Sequence, residues 1–338
     1  MHASADPADR TVRRALDAIR RVVRRHDLWR HGDLLLLACS GGLDSMTALA
    51  LLDRLRPSLG HNLAVAHVDH GLRAAADRDS ALVTSAATAR GLAVHLTRLA
   101  LEAGPDLQGR ARTARYDALT ATARAVGCAR IVTAHHANDQ AETLIMHLAR
   151  GAGPGALAGI RRFRDDGVVR PLLELDRATL VACALGLGVR WIDDPSNADR
   201  RHLRNRLRHE ALPVLEMARP GAAAGLARSA ANLEGVGDAL DYWLVRALRD
   251  VWLPSDSDTL ALPRSAVPAD FFALTALLGF VARRLGCPPA SRRAAEQVHA
   301  TLTTCQRGSC RLRGIDVQIS SDQVDFARRN VARPGGAD

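Results

Sequence analysis

Residues 33–45 constrain this chain more tightly than any other stretch. Leu34 to Cys39 is an apolar run of strand length, it breaks into Ser40-Gly41-Gly42-Leu43-Asp44-Ser45, and Met46 to Leu55 then carries Ala and Leu at helical spacing. The pattern is strand, tight loop, helix. Two glycines let backbone N–H groups turn toward a ligand, and the helix that follows aims its positive end at the same spot. The turn is therefore an anion site, with phosphate as the expected anion.

The loop is not a Walker A sequence, which needs Gly-Lys-Ser/Thr to bring an ammonium to the outer phosphates. All 46 Lys+Arg residues of this chain are arginine. The loop instead resembles the Ser-Gly-Gly-x-Asp-Ser signature of the PP-loop ATP pyrophosphatases. That resemblance implies a loop that holds the β- and γ-phosphates of ATP and an enzyme that cleaves ATP to AMP and pyrophosphate.

At 338 residues, 47% hydrophobic and 24% charged, the chain is long enough for two domains with cores of their own. Its net charge of +10 points to a polyanionic partner. With aromatics at only 3%, shape and phosphate contacts are expected rather than a base-stacking platform. The six cysteines form no Cys-x-x-Cys pair and read as reduced structural thiols. No secretory apolar region or long apolar span is evident, so a cytoplasmic protein without membrane contact is expected. Near the start, Val12, Ala15, Leu16, Ile19, Val22 and Val23 make an apolar helical stripe, with Arg13, Arg20 and Arg24 on another face. A docked amphipathic helix is predicted there.

Strand-like segments then recur at Asn62–His67, Leu92–Leu96, Arg130–Thr133, Val168–Leu172 and Val189–Ile192, with helical patterns between them. Such alternation predicts a parallel sheet covered on both faces, with ligands at the carboxyl ends of its strands. Three polar clusters fall at such places. His67-Val68-Asp69-His70 closes the second strand and suits nucleotide recognition, although a capping Asp with two surface histidines reads equally well. Arg112 and Arg115 share one helical face, where they could meet phosphate or simply be solvated. His135-His136-Ala137-Asn138-Asp139-Gln140-Ala141-Glu142 enters a helix, with Asp139 and Glu142 on one face at its start. Carboxylates are favoured there and can take a metal or an ammonium group; the spacing is wrong for His-Glu-x-x-His zinc and suits magnesium better.

Taken with Ser40–Ser45, the loops at 67–73, 111–119 and 133–153 resemble the tRNA(Ile)-lysidine synthetase family. The likeness continues through Arg170-Pro171-Leu172-Leu173, Asp193-Asp194-Pro195-Ser196-Asn197 and Arg204-Asn205-Arg206-Leu207-Arg208-His209, and so covers roughly residues 30–215. One departure is Asn138, where the family usually has Asp. The implied fold class is α/β, a Rossmann-like parallel sheet of the PP-loop type over residues 1–218. A second, mainly helical domain is expected over 219–338, ending in short strands at Ser309–Gly314 and Asp316–Ile319 and a tail from Arg333, and it is expected to contact tRNA.

The resemblance also implies a reaction in which the C2 oxygen of the wobble cytidine of isoleucine tRNA is adenylated by ATP and free lysine then displaces AMP. The expected partners are isoleucine tRNA, lysine and ATP, with Mg2+ as cofactor and a homodimer left open. On this basis Ser40, Gly41, Gly42, Leu43, Asp44, Ser45, His67, Asp69 and His70 are expected to bind ATP. Asp44, Asp139 and Glu142 are the expected catalytic carboxylates, with Asp44 and Asp139 as metal ligands. Arg112, Arg115, His135, His136 and Asn138 are expected to bind substrate, and Arg204, Arg206 and Arg208 the tRNA backbone. Another PP-loop tRNA-modifying enzyme such as a thiolase, or a tRNA-binding protein with a degenerate ATP site, are the alternatives.

Overall fold

The computed structural model describes residues 7–69, 76–100, 104, 107–193, 200–201, 203–249 and 258–329. The chain divides into two compact units, Met1–Glu234 and Gly235–Asp338.

The first unit begins with helix α1 (Pro7–Arg25) and alternates strands with helices: β1 (Leu34–Ala38), α2 (Leu43–Leu59), β2 (Asn62–Asp69), α3 (Ala76–Thr88), β3 (Val94–Arg98), α4 (Leu107–Val126), β4 (Arg130–Val132), α5 (Ala137–Ala149), α6 (Pro154–Leu157), β5 (Val168–Val169) and α7 (Arg177–Gly186). The five strands are parallel in the order β3-β2-β1-β4-β5. Strand order therefore reverses between β1 and β4, and the crevice at their carboxyl ends is where such sheets take ligands.

β1 is buried on both faces, which is why it reads as a run of leucines rather than an alternation. Leu35 and Leu37 join the core under α1, α2 and α7, whereas Leu36 packs with Tyr116 and Leu119 of α4 on the other face. Val12, Ala15, Ile19, Val22 and Val23 of α1 are all at most 3% exposed, so the predicted apolar stripe is the face that docks. Its four branched side chains contribute roughly 1.5–3 kcal/mol each.

The predicted strand at Val189–Ile192 does not form. That segment is irregular, with Val189 and Trp191 packed on the core and the Ile192 N–H donating to the Gly41 carbonyl at 3.0 Å. Its apolar residues find burial, and its backbone serves the phosphate loop instead of a sheet edge.

Beyond it come α8 (Leu203–Arg206), a π-helical turn over Leu207–Ala211, α9 (Leu212–Ala218) and the long α10 (Ala222–Leu248), within which the two units divide. The second unit holds β6 (Thr259–Pro263), α11 (Phe271–Arg284), α12 (Arg292–Thr304), β7 (Gly308–Leu312), β8 (Ile315–Ile319) and β9 (Gln323–Arg328). Its antiparallel sheet, ordered β6-β9-β8-β7, adds β6 and β9 to the two strands read from the sequence. Alternate residues of β8 and β9, among them Val317, Val324 and Phe326, bury against Leu274, Leu278 and Val281 of α11. Among the described residues no helix is long and apolar enough to cross a membrane.

Candidate active site

The phosphate loop is built by local bonds. Gly41 has φ +86°, a left-handed conformation that favours glycine, and Gly42 begins α2. Ser45 closes the turn: its Oγ accepts from the Ser40 N–H at 3.1 Å, lies 3.2 Å from Ser40 Oγ and donates to the Gly42 carbonyl at 3.0 Å. His67 is buried and donates from Nδ1 to the Cys39 carbonyl at 2.9 Å, holding the end of β2 to the end of β1. Asp69 lies 3.4 Å from Arg98 Nε. His70, also expected here, lies outside the described residues.

From β4, the adjacent strand, the chain delivers His135, His136 and the start of α5 to the same crevice. His136 is fully buried between two carboxylates, with Nε2 at 3.5 Å from both Asp44 Oδ2 and Asp139 Oδ2. Burial pulls the imidazole pKa down, but Asp139 and Asp44 together reverse this and raise it. Asp44 and Asp139, 95 positions apart in sequence, thus share one imidazole.

Asp139 and Glu142 do not stand free. Glu142, with no exposed surface, accepts from Arg208 Nε and Arg204 Nε at 2.7 Å each, and from Arg208 Nη2 at 3.2 Å. Asp139 Oδ1 accepts from Arg204 Nη2 and Arg208 Nη2, both at 3.1 Å, and its Oδ2 accepts from the His136 N–H at 3.0 Å. Two guanidinium forks on two carboxylates make a neutral quartet of charge-assisted bonds. Burial pushes the Asp139 carboxyl up, yet His136, Arg204, His135 and the His136 N–H overcome it and hold it at about 2. Arg204 and Arg208, expected on the tRNA backbone, are thus engaged with carboxylates inside the first unit. Arg206 does lie outward, 3.7 Å from Glu210. Arg208 sits in the π-helical turn, a distortion frequent at functional sites.

These bonds also sort the expected metal ligands. Asp44 Oδ1 is buried without a hydrogen-bond partner, and a carboxylate oxygen in that state suits a hard cation. Asp139 has both oxygens taken and does not fit the second ligand position.

Asn138 points elsewhere. Its Oδ1 accepts from the Arg177 N–H at 2.8 Å, at the start of α7, so it satisfies an N–H that the helix itself cannot. Either Asn or Asp can accept this bond, so it does not depend on which of the two stands here.

Beside the quartet lies a cavity of about 430 Å³ lined by Arg112, His135, Arg161, Arg164, Arg170 and Arg204, among others. Arg112, Arg115 and Arg164 stand over the Tyr116 ring at 5.3, 5.5 and 4.8 Å from its centroid. Burial pushes the Tyr116 hydroxyl pKa up, but Arg170 and Arg112 more than reverse it. His135 is held neutral, at about 3, by burial foremost, with Arg170, Arg204 and Arg112 acting against Asp139. The cavity is thus strongly positive. Sequence reasoning found Arg112, Arg115 and Arg204 but not Arg161, Arg164 or Arg170; the run Arg161-Arg162-Phe163-Arg164 was the available signal. Gln140 shapes this wall by donating to the Ala158 and Ile160 carbonyls and accepting from the Ile160 N–H.

Comparison with known proteins agrees with this geometry. A PP-loop domain family matches residues 12–215. The chain is 38% identical over 253 residues to the tRNA(Ile)-lysidine synthase of Pseudomonas fluorescens, covering 74% of this chain and 57% of that protein. It is 40% identical over 284 residues to the tRNA(Ile)-lysidine synthase of Salinispora tropica, covering 81% of this chain and 84% of that protein. The chain thus spans little more than half of the first relative and most of the second. Among solved structures, the U34-tRNA thiolase NcsA from Methanococcus maripaludis shares the fold, with a TM-score of 0.58 at 16% identity over 67% of this chain and 80% of that one. With the phosphate loop at the strand-order reversal and these relatives over most of its length, the chain belongs to the tRNA(Ile)-lysidine synthase family of PP-loop proteins.

Proposed function

We propose that this protein ligates lysine to C2 of the wobble cytidine of isoleucine tRNA, using ATP and passing through an adenylated tRNA. The observation that carries the reading is the convergence, at one crevice, of a phosphate loop, a buried carboxylate–imidazole–carboxylate chain and an arginine-lined cavity. An ATP ligation on RNA needs these three parts: a cradle for pyrophosphate, an anchor for an amine and a seat for a polyanion.

The backbone of Ser40–Ser45 and the start of α2 receive the pyrophosphate as charge builds on it during attack of the C2 oxygen on the α-phosphate. Asp44 would hold a magnesium ion at that edge, which when bound neutralises phosphate charge. Arg112, Arg115 and Arg164 seat the nucleotide phosphates, since guanidinium forks bind phosphate bidentately. His67 and Asp69 shape the nucleotide side of the crevice.

Asp139 and Glu142 anchor the lysine ammonium. A carboxyl held at about 2 is a poor base and a good anchor, so the proton lost by the amine passes more readily to His136, whose basicity Asp139 and Asp44 raise. Arg204 and Arg208 hold both carboxylates in place, and the amine enters by displacing their bonds. Arg206 is the outward tRNA contact of that trio.

The test is incubation of the protein with isoleucine tRNA transcript, ATP and labelled lysine. Label entering RNA, with one AMP and one pyrophosphate released per lysine and none with methionine tRNA, is the expected result. ATP cleavage that depends on tRNA but transfers no lysine would overturn it.

A further inference from the structure

The arginines of α1 are not scattered. At 100° per residue, Arg10, Arg14, Arg21, Arg24 and Arg25 fall within about 100° of one another around the helix, directly opposite Val12, Ala15, Ile19 and Val22 on the docked face. All five are exposed, and the stripe runs ~22 Å along the axis. The two acids of the helix are spent on neighbours: Asp9 on Arg13 at 2.6 Å and Asp17 on Arg20 at 2.5 Å. Among the described residues no ion pair engages any of the five. Five like charges side by side repel one another, which a merely solvated face avoids by interspersing acids.

We propose that the outer face of α1 is a docking surface for RNA backbone phosphates, taking a stretch of the tRNA away from the nucleotide that enters the cavity. One observation favours RNA over an anionic membrane. A surface-lying amphipathic helix must sink its apolar face into lipid, and here that face is locked in the core with Val12 at 2% and Ile19 at 1% exposure. Arg21, Arg24 and Arg25 border a recess with Glu174, and Glu174 is engaged by Arg162 at 3.1 Å, so it leaves the charge of the stripe uncompensated.

This inference rests on the proposed tRNA substrate. Its test is a full-length variant carrying Arg10→Gln, Arg14→Gln, Arg21→Gln, Arg24→Gln and Arg25→Gln, compared with the unaltered protein for binding of isoleucine tRNA at several salt concentrations. Each lost phosphate contact lowers the log–log salt slope by about 0.7–0.9. The expected result is a slope smaller by about 2–4, affinity at least tenfold weaker at low salt, and a melting temperature and ATP affinity that stay put because the replaced groups are exposed. An unchanged slope overturns the proposal. So does loss of binding to phosphatidylserine vesicles in the variant with tRNA binding intact, which would make the stripe a lipid surface. If the slope falls as expected but the unaltered protein never transfers lysine, the reaction is overturned and the docking surface stands. If the unaltered protein binds no tRNA, both fall.

Discussion

Glu142→Gln should destabilise the first unit severely, although the change alters little but charge. In the native protein the Glu142 carboxylate has no exposed surface and accepts three N–H bonds from Arg204 and Arg208. An amide in its place turns an NH2 toward guanidinium N–H groups that sat at 2.7 Å and leaves two cations facing the single charge of Asp139. Removing one partner of a buried pair costs about 3–5 kcal/mol. Here the side chains of Arg204 and Arg208 retain 37% and 22% exposure and can be partly rehydrated, so about 2–4 kcal/mol is the better figure. For a unit of this size each kcal/mol moves the midpoint by about 2–4 °C, giving a fall of roughly 5–15 °C in thermal unfolding followed by circular dichroism. Arg208→Met alone should also destabilise, and the double variant should lose less than the sum, with a coupling of about 1–3 kcal/mol. A Glu142→Gln midpoint within 2 °C of the native protein, or strict additivity in the double variant, would refute the reasoning and return Glu142 to the role expected from sequence, a carboxylate kept for ligand alone.

Three further outcomes are expected. Because the folded Asp139 carboxyl sits at about 2, below its ordinary 3.8, its contribution of about 2 kcal/mol is complete above roughly pH 5 and is lost as pH falls toward 2; urea midpoints between pH 6 and 3 should drop less in Asp139→Asn than in the native protein. Asn138→Asp should keep the bond to the Arg177 N–H and place a charge at the start of α7, raising stability by about 0.3–1 kcal/mol, with lysine transfer changed less than threefold; a tenfold gain in transfer would show that this position serves the chemistry. Asp44→Asn removes one of the two charges facing the buried His136 and should cost about 1 kcal/mol, or about 2–4 °C in melting temperature, yet lower lysine transfer a hundredfold or more and flatten its Mg2+ dependence; wild-type turnover would remove Asp44 from the site.

What the chain determined by itself is what fits within one or two turns of backbone. The run Leu34–Cys39, the glycines at 41 and 42 and the helix after them encode the phosphate loop, because strand, positive φ and helix start are local properties of adjacent residues. The apolar stripe of α1 was legible for the same reason: periodicity places Val12, Ala15, Ile19 and Val22 on one face whatever they meet. Tertiary structure decided the partners. On sequence alone Arg204 and Arg208 read as contacts for tRNA backbone; the acid nearest Arg208 in sequence, Glu210, pairs with Arg200 and Arg206, whereas packing brings Asp139 and Glu142, more than 60 positions away, to within 3.2 Å. Asn138 reads as a substrate contact until α7 supplies its N–H, and Val189–Ile192 reads as a strand although the sheet ends at β5. A burial pattern is a property of a segment, but an ion pair or a capped helix end is a property of two segments, and which two meet is settled only when the sheet order places the loop after β4 beside the loop after β1.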